Sequence, residues 1–296
     1  MGRQRKNRGL LRWGGPLALG FAAGAAFVFF LFEYGYFQKP YHEEKPPIAS
    51  IPEEKPLEPV IPEAPEAPEA PPKAYPMVAI VIDDMGQDLE KLKEILKIKG
   101  PITIAVMPNL RHSRDVANEA HLNGLEVILH LPMEPKDAED NNPGKGALLT
   151  AMTADEVRAQ VERDLKTVPN AIGVNNHMGS KFTEDEALMR AVLLVVKKRD
   201  MIFLDSRTSS NSVAGKLAKK LGVRNADRNV FLDNNRDVKY IKGQISELVA
   251  IARKRGRAIG IGHPYPETIE ALKETVSGLD EIGIEIVKLS EIVEQD

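Results

Sequence analysis

Residues 77–296 are expected to fold as an α/β domain, a (β/α) barrel of seven or eight strands, either closed or incomplete. Two observations predict it. Short apolar runs alternate with stretches of helical spacing, as parallel strands covered on both faces do. Polar residues stand at the C-terminal ends of successive runs: Asp83-Asp84, Pro108-Asn109, His130, Asn175-Asn176-His177, Asp205, Asp233 and His263. Barrels carry their chemistry on that face, whereas an open sheet concentrates its site at one switch point.

The elements follow in order. Residues 77–82 are an apolar run, and Leu89, Leu92, Ile95 and Leu96 give helical spacing across 88–98. Residues 102–106 predict a second strand, followed by a helix over 115–123 that Gly124 closes. A third strand spans 125–129 and a fourth 171–174. Thr153 with Glu156, and Thr183 with Glu186, have the spacing of capping boxes that open helices. Residues 201–204, 230–232, 258–261 and 284–287 complete the strands, with helices expected over 237–255 and 267–281. About 220 residues suffice for one well-buried domain.

The region before this domain is different in kind. Residues 1–13 carry Arg3, Arg5, Lys6, Arg8 and Arg12 and no acid. No charge occurs from Gly14 to Phe32, and Tyr34, Tyr36 and Phe37 follow. A membrane-crossing helix needs about 20 apolar residues, so 14–37 is read as an uncleaved signal-anchor with an aromatic belt at its outer end. The competing reading, a cleaved signal peptide, lacks a small-residue cleavage site after the apolar run. Basic residues stay cytoplasmic, which places the remainder on the periplasmic or extracytoplasmic side of the inner membrane. Residues 38–76 are rich in Pro and Glu, with Pro-Glu-Ala repeated at 62–70. Such a segment cannot bury enough apolar surface to fold and is expected to be a disordered, semi-rigid polyproline II spacer. Its 37 residues from 40 to 76 would span roughly 100 Å at about 3.1 Å each.

Composition narrows the chemistry. A net charge of -3 with 5% aromatic residues gives neither the basic face nor the stacking platform that nucleic acid requires. Without cysteine, a metal site can use only His, Asp or Glu. Adjacent carboxylates at Asp83 and Asp84 repel each other, and a cation on one would keep both ionised near neutral pH. His112 and His121 fall on a helix and His42 in the spacer, so none of these is a candidate.

The segments Val81-Ile-Asp83-Asp84-Met-Gly86, Ile128-Leu-His130-Leu-Pro-Met-Glu134, Asn175-Asn-His177-Met-Gly-Ser180, Phe203-Leu-Asp205-Ser and Ile261-Gly-His263-Pro-Tyr265 together resemble the divergent branch of the polysaccharide deacetylases. These are distant relatives of the NodB-homology carbohydrate esterases, and the resemblance covers about residues 77–292. It implies a barrel of the polysaccharide deacetylase type that removes acetyl groups from glycan or peptidoglycan with a divalent metal, zinc above all. By position, Asp83 is implied as the base, Asp84 as a metal ligand, His263 as the general acid and Asp205 as the acid that orients the catalytic groups. The family spaces two metal histidines as H-x-x-x-H, but here His130 is followed by Glu134 at the second place. Either Glu134 supplies an oxygen ligand or His177 enters from the next strand; His177 is favoured, because Pro132 and Pro135 turn Glu134 away. Asn176, Ser180, Arg207 and Tyr265 are candidates for substrate hydrogen bonds, and Asp233 is either a supporting or a turn residue. Two other classes stay open: a catalytically silent barrel that binds envelope glycan or a protein partner, and a glycosidase pairing Asp84 with Asp205 or Asp233.

Overall fold

The computed structural model describes residues 75–293. The basic segment, the expected anchor at 14–37 and nearly all of the expected spacer lie outside the described residues. Among those described, no helix is long and apolar enough to cross a membrane.

The strands are β1 (Met77–Met85), β2 (Ile102–Val106), β3 (Glu126–Met133), β4 (Ala171–Met178), β5 (Ile202–Asp205), β6 (Asn225–Asp227), β7 (Val230–Phe231), β8 (Arg257–Gly262) and β9 (Glu285–Ile286). The helices are α1 (Leu89–Ile95), α2 (Ser113–Leu122), α3 (Ala154–Leu165), α4 (Glu186–Lys198), α5 (Ala214–Leu221), α6 (Val238–Arg255), α7 (Pro266–Thr275) and α8 (Leu289–Ile292). Strand order is β6-β5-β4-β3-β2-β1-β8-β7, with β9 added beside the start of β1. All pairings are parallel. The sheet curls, and β6 and β7 end it as its two edges, so the barrel is the incomplete one of the two forms expected.

Strand periodicity divides the core in two. Ile80, Ile82, Ile104, Leu129, Val174, Phe203 and Ala258 face the helices in one cluster, while Ala79, Val81, Ala105, Ile128, Leu204, Ile259 and Ile261 fill the inside of the curl in another. Side chains alternate faces along a strand. Continuing each strand by two residues therefore puts Asp83, His130, His177 and His263 on the inner face. The same rule sends Asp205, two residues after Phe203, toward the helices.

Two local expectations are corrected. Thr183 does not cap a helix: residues 182–184 form a 3-10 turn and the Thr183 hydroxyl donates to the Gly179 carbonyl, while the Asp185 side chain caps α4 by accepting from Leu188 N. The Thr153–Glu156 capping box at α3 is present as expected. The helix expected over 267–281 stops at Thr275 and gives way to two 3-10 turns around Gly278. Helix α5 was not expected, although Ala214, Leu217, Ala218 and Leu221 have helical spacing; the three-residue strand β6 is too short to show a pattern.

One interior acid stands apart from the mouth. Asp164, in α3, is fully buried; its Oδ1 accepts from Asn109 Nδ2 (2.8 Å) and Gln160 Nε2 (2.9 Å), and its Oδ2 has no partner. Gly146, at φ 87°, passes so close that a Cβ there would lie 2.5 Å from Asp164 Oδ1. Burial pushes the Asp164 carboxyl up from 3.8 to about 6. Because the folded value exceeds the unfolded one, ionisation costs nothing below pH 4 and its cost is complete above pH 6, on the order of 3 kcal/mol at most. Asp164→Asn, which keeps the accepting oxygen, is therefore expected to raise Tm by several degrees at pH 8 and not at pH 3.5. Equal gains at both pH values in thermal melts would contradict this account.

Candidate metal centre

The mouth is built from a break in β1. Its pairing with β2 shifts register between Ile82 and Met85, and such a bulge re-aims side chains. Asp83 points inward by strand parity, and Asp84, held at φ 56°, turns toward the same space. Left-handed backbone at a non-glycine residue costs roughly 1–2 kcal/mol and collects at functional sites. Met178, the last residue of β4, and Asn109 and Arg207, shortly past the ends of β2 and β5, are also left-handed.

Three side chains converge there. Asp84 Oδ1 lies 3.2 Å from His130 Nε2 and 3.0 Å from His177 Nδ1, and those nitrogens are 3.1 Å apart. Donors about 2.1 Å from one divalent ion stand about 3.0 Å apart in octahedral and about 3.4 Å apart in tetrahedral coordination, so all three edges suit a shared cation. Asp84 Oδ1 is also buried without a directed hydrogen bond, although two imidazole nitrogens crowd it. An oxygen left in that state calls for a partner that is not a hydrogen. Two imidazoles and one carboxylate form a recognised zinc donor set that leaves a coordination position for water. The residues therefore fit a divalent metal.

Asn175 holds this triangle from behind. His130, 2% exposed, sits beside Asn175 in register, and its Nδ1 meets Asn175 Oδ1 at 2.9 Å. Asn175 Nδ2 donates to Asp83 Oδ1 at 2.8 Å, so one amide fixes the ligand imidazole and the neighbouring carboxylate together. Asp83 is buried, and that burial raises its carboxyl above the ordinary value despite His130 and His263. Across the mouth, burial works against charge on His263, but the hydrogen bond and charge of Asp233, with the charges of Asp83 and Asp84, outweigh it and raise the imidazole. His263 Nδ1 meets Asp233 Oδ1 at 2.9 Å, and Asp233 Oδ2 accepts from His263 N (2.5 Å) and Thr268 Oγ1 (2.7 Å). This leaves His263 Nε2 facing the site, 3.9 Å from Asp84 Oδ2.

The other sequence candidates have different settings. Glu134 is not in the triangle; it accepts from Thr150 N, Thr150 Oγ1 and Lys181 Nζ. Asp205 is fully buried on the helix side, accepting from Arg207 N and Ser212 Oγ. Asn176 ties β4 to the loop after β5, accepting from Ser206 N and donating to Met178 O and Thr208 Oγ1. Ser180 Oγ accepts from Lys136 N, and Arg207 Nε reaches only to 4.0 Å from Asp227 Oδ2. Tyr265 stays at the mouth, its ring 5.4 Å from that of His263. Sequence reading gave Asn175 no role and left Asp233 undecided. Strand parity was the signal for both, since each lies two residues beyond an inward position.

The chain as a whole is similar to known proteins. The sequence profile of the family described as divergent polysaccharide deacetylase matches residues 80–293. A Haemophilus influenzae protein is 39% identical over 207 residues, covering 69% of this chain and 72% of its own. The Escherichia coli protein YibQ is 36% identical over 218 residues, 74% of this chain and 67% of its own. Among solved structures, ATU2773 of Agrobacterium tumefaciens C58 superposes with a TM-score of 0.72 at 27% identity, covering 76% of this chain and 92% of that one.

Asn175→Ala removes the amide that orients His130 and satisfies Asp83. Loss of a partner behind a ligand typically weakens metal binding about 10- to 100-fold. Zinc affinity measured by chelator competition is expected to fall by that factor, and an unchanged affinity would show that the Asn175 bridge does not organise the site.

Proposed function

The chain belongs to the divergent polysaccharide deacetylase family, and on that footing we propose that it is a membrane-anchored, metal-dependent hydrolase of N- or O-acetyl groups on an envelope glycan such as peptidoglycan. The observation that carries the reading is the Asp84, His130 and His177 triangle, with its partnerless carboxylate oxygen.

Asp84, His130 and His177 would hold the ion. Bound there, a divalent cation supplies Lewis acidity toward the acetyl carbonyl and makes water a competent nucleophile near neutral pH. The remaining work falls to the chain itself. Asp83, buried and with a raised proton affinity, takes the proton from the attacking water. Asn175 keeps that carboxylate aimed while leaving its Oδ2 toward the mouth. His263 directs Nδ1 to Asp233 and so presents Nε2 to the leaving group. As the carbon–nitrogen or carbon–oxygen bond of the acetyl group breaks, a proton passes from His263 Nε2 to the departing amine or alkoxide, leaving acetate. A glycosidase pair is poorly supported, because both oxygens of Asp205 and of Asp233 are committed to internal donors.

Full-length protein purified in detergent is expected to hold one divalent ion per chain by elemental analysis, lost in His130→Ala and His177→Ala. Acetate release from chitooligosaccharide or peptidoglycan is expected to fall about 100-fold or more in Asp83→Asn, with the metal retained. A wild-type chain that takes up no metal under any condition would leave a silent glycan-binding barrel as the better account.

The anchor reading of 14–37 puts the hydrolase outside the cytoplasm, where its glycan is. External protease added to spheroplasts is expected to degrade the domain. Resistance until the inner membrane is broken would reverse the topology.

A further inference from the structure

Two aromatic rings neighbour the acid His263, and each carries a guanidinium. Phe231 stacks near the imidazole at 6.2 Å with Arg228 at 3.8 Å over its ring. Tyr265 lies 5.4 Å from the same imidazole, tilted 31°, with Arg236 at 3.6 Å over its ring. The two arginines differ in what their N–H groups do. Arg228 spends its donors on the backbone carbonyls of Ser206 and Arg207. Arg236 is exposed, and among the described residues it has no carboxylate or carbonyl partner beyond the Tyr265 ring.

Arg236 is nevertheless held in place. It belongs to the short turn from Asp233 to Asp237, and both ends of that turn are fixed. Asp233 is bound to His263 and Thr268, while Asp237 caps α6 by accepting from Tyr240 N. Tyr265 is itself fixed where α7 begins, its N–H donating to the His263 carbonyl and its own carbonyl accepting from Ile269 N. A guanidinium stacked face-on keeps its planar edge of donors free, and that edge matches a carboxylate or phosphate. Stacking also lowers the ordering cost of gripping an anion.

We propose that Arg236, laid on Tyr265, is an oxyanion-recognising subsite of the mouth, so that the preferred glycan carries a carboxylate or phosphate close to the acetyl group removed. This rests on the deacetylase reading of the same mouth and narrows its substrate to acidic glycans. The subsite lies beside the leaving-group side of the site, because Tyr265 neighbours His263 rather than the ligand histidines.

Isothermal titration calorimetry on the full chain, at one fixed salt concentration, would compare chitotetraose with a hyaluronan tetrasaccharide and a phosphorylated N-acetylglucosamine disaccharide. At least one acidic probe is expected to bind about tenfold or more tightly than the neutral one, the scale of one charge-assisted, two-pronged contact. The tighter of the two acidic probes identifies the anion as carboxylate or phosphate. Arg236→Gln is expected to abolish the advantage and Arg236→Lys to restore only part of it, because an ammonium lacks the planar fork. Thermal melting establishes that each variant is folded, and Arg236→Lys decides alone if Arg236→Gln is not. Acidic and neutral probes bound equally, no probe bound, or an advantage that survives in the variants would each overturn the proposal. Acetate release from neutral chitooligosaccharide is a separate measurement, so failure of the deacetylase reading and failure of this one are told apart.

Discussion

A buried carboxylate oxygen with two imidazole nitrogens pressed against it and no hydrogen bond directed to it is the constraint from which the mouth of this barrel is built. Asp83 is buried and its neighbour Asp84 is only partly exposed at the mouth, a setting in which like charges repel strongly. Only positive charge at close range makes that arrangement tenable. In the protein alone, His130 provides it: burial favours the neutral ring, yet Asp83 and Asp84 together raise the imidazole to about 9. A cation in the triangle would take over that role and free the imidazole to act as a neutral ligand. The left-handed backbone at Asp84, the bulge in β1 and the Asn175 bridge all serve to keep these groups together.

Much of this was legible in the sequence, for a definite reason. Parallel strands buried on both faces leave few places for an ionisable residue, so a histidine or aspartate ending an apolar run stands out. Asp83, Asp84, His130, His177 and His263 were identifiable on that ground, and the structure brings them to one mouth. His177 was favoured over Glu134 because Pro132 and Pro135 bracket the latter, and the contacts of Glu134 with Thr150 and Lys181 keep it out of the triangle. Asp205 ends its strand just as prominently, but it follows Phe203 on the helix side and caps its own loop. Strand ends indicate chemistry, and parity decides which of them point at it. Asn175 was counted among the polar strand-end residues but given no role, because an amide carries no titratable signal.

The edges of the sheet have their own logic. An incomplete barrel leaves two open strands, a template for pairing with other chains. Here those edges are β6 and β7, three and two residues long, too short to offer a long unpaired ladder. Arg228 reaches from the turn between them to the carbonyls of Ser206 and Arg207. The brevity of β6 is also why it left no trace in the hydrophobic pattern.

The two-residue alternation along each strand has a consequence for how such a protein can change over evolutionary time. Deleting a single residue within β4 ahead of Asn175 would swap the inward and outward sets, sending Asn176 into the mouth and His177 into the helices. Substitutions can accumulate one by one on either face, but a shift of frame inside a strand destroys the set that lines the mouth and the hydrophobic set at once. Insertions and deletions are therefore confined to the connections past the strand ends, among them the turn that carries Arg236. Diversification among descendants of this fold should consequently be written in loop length, over a strand framework frozen in register.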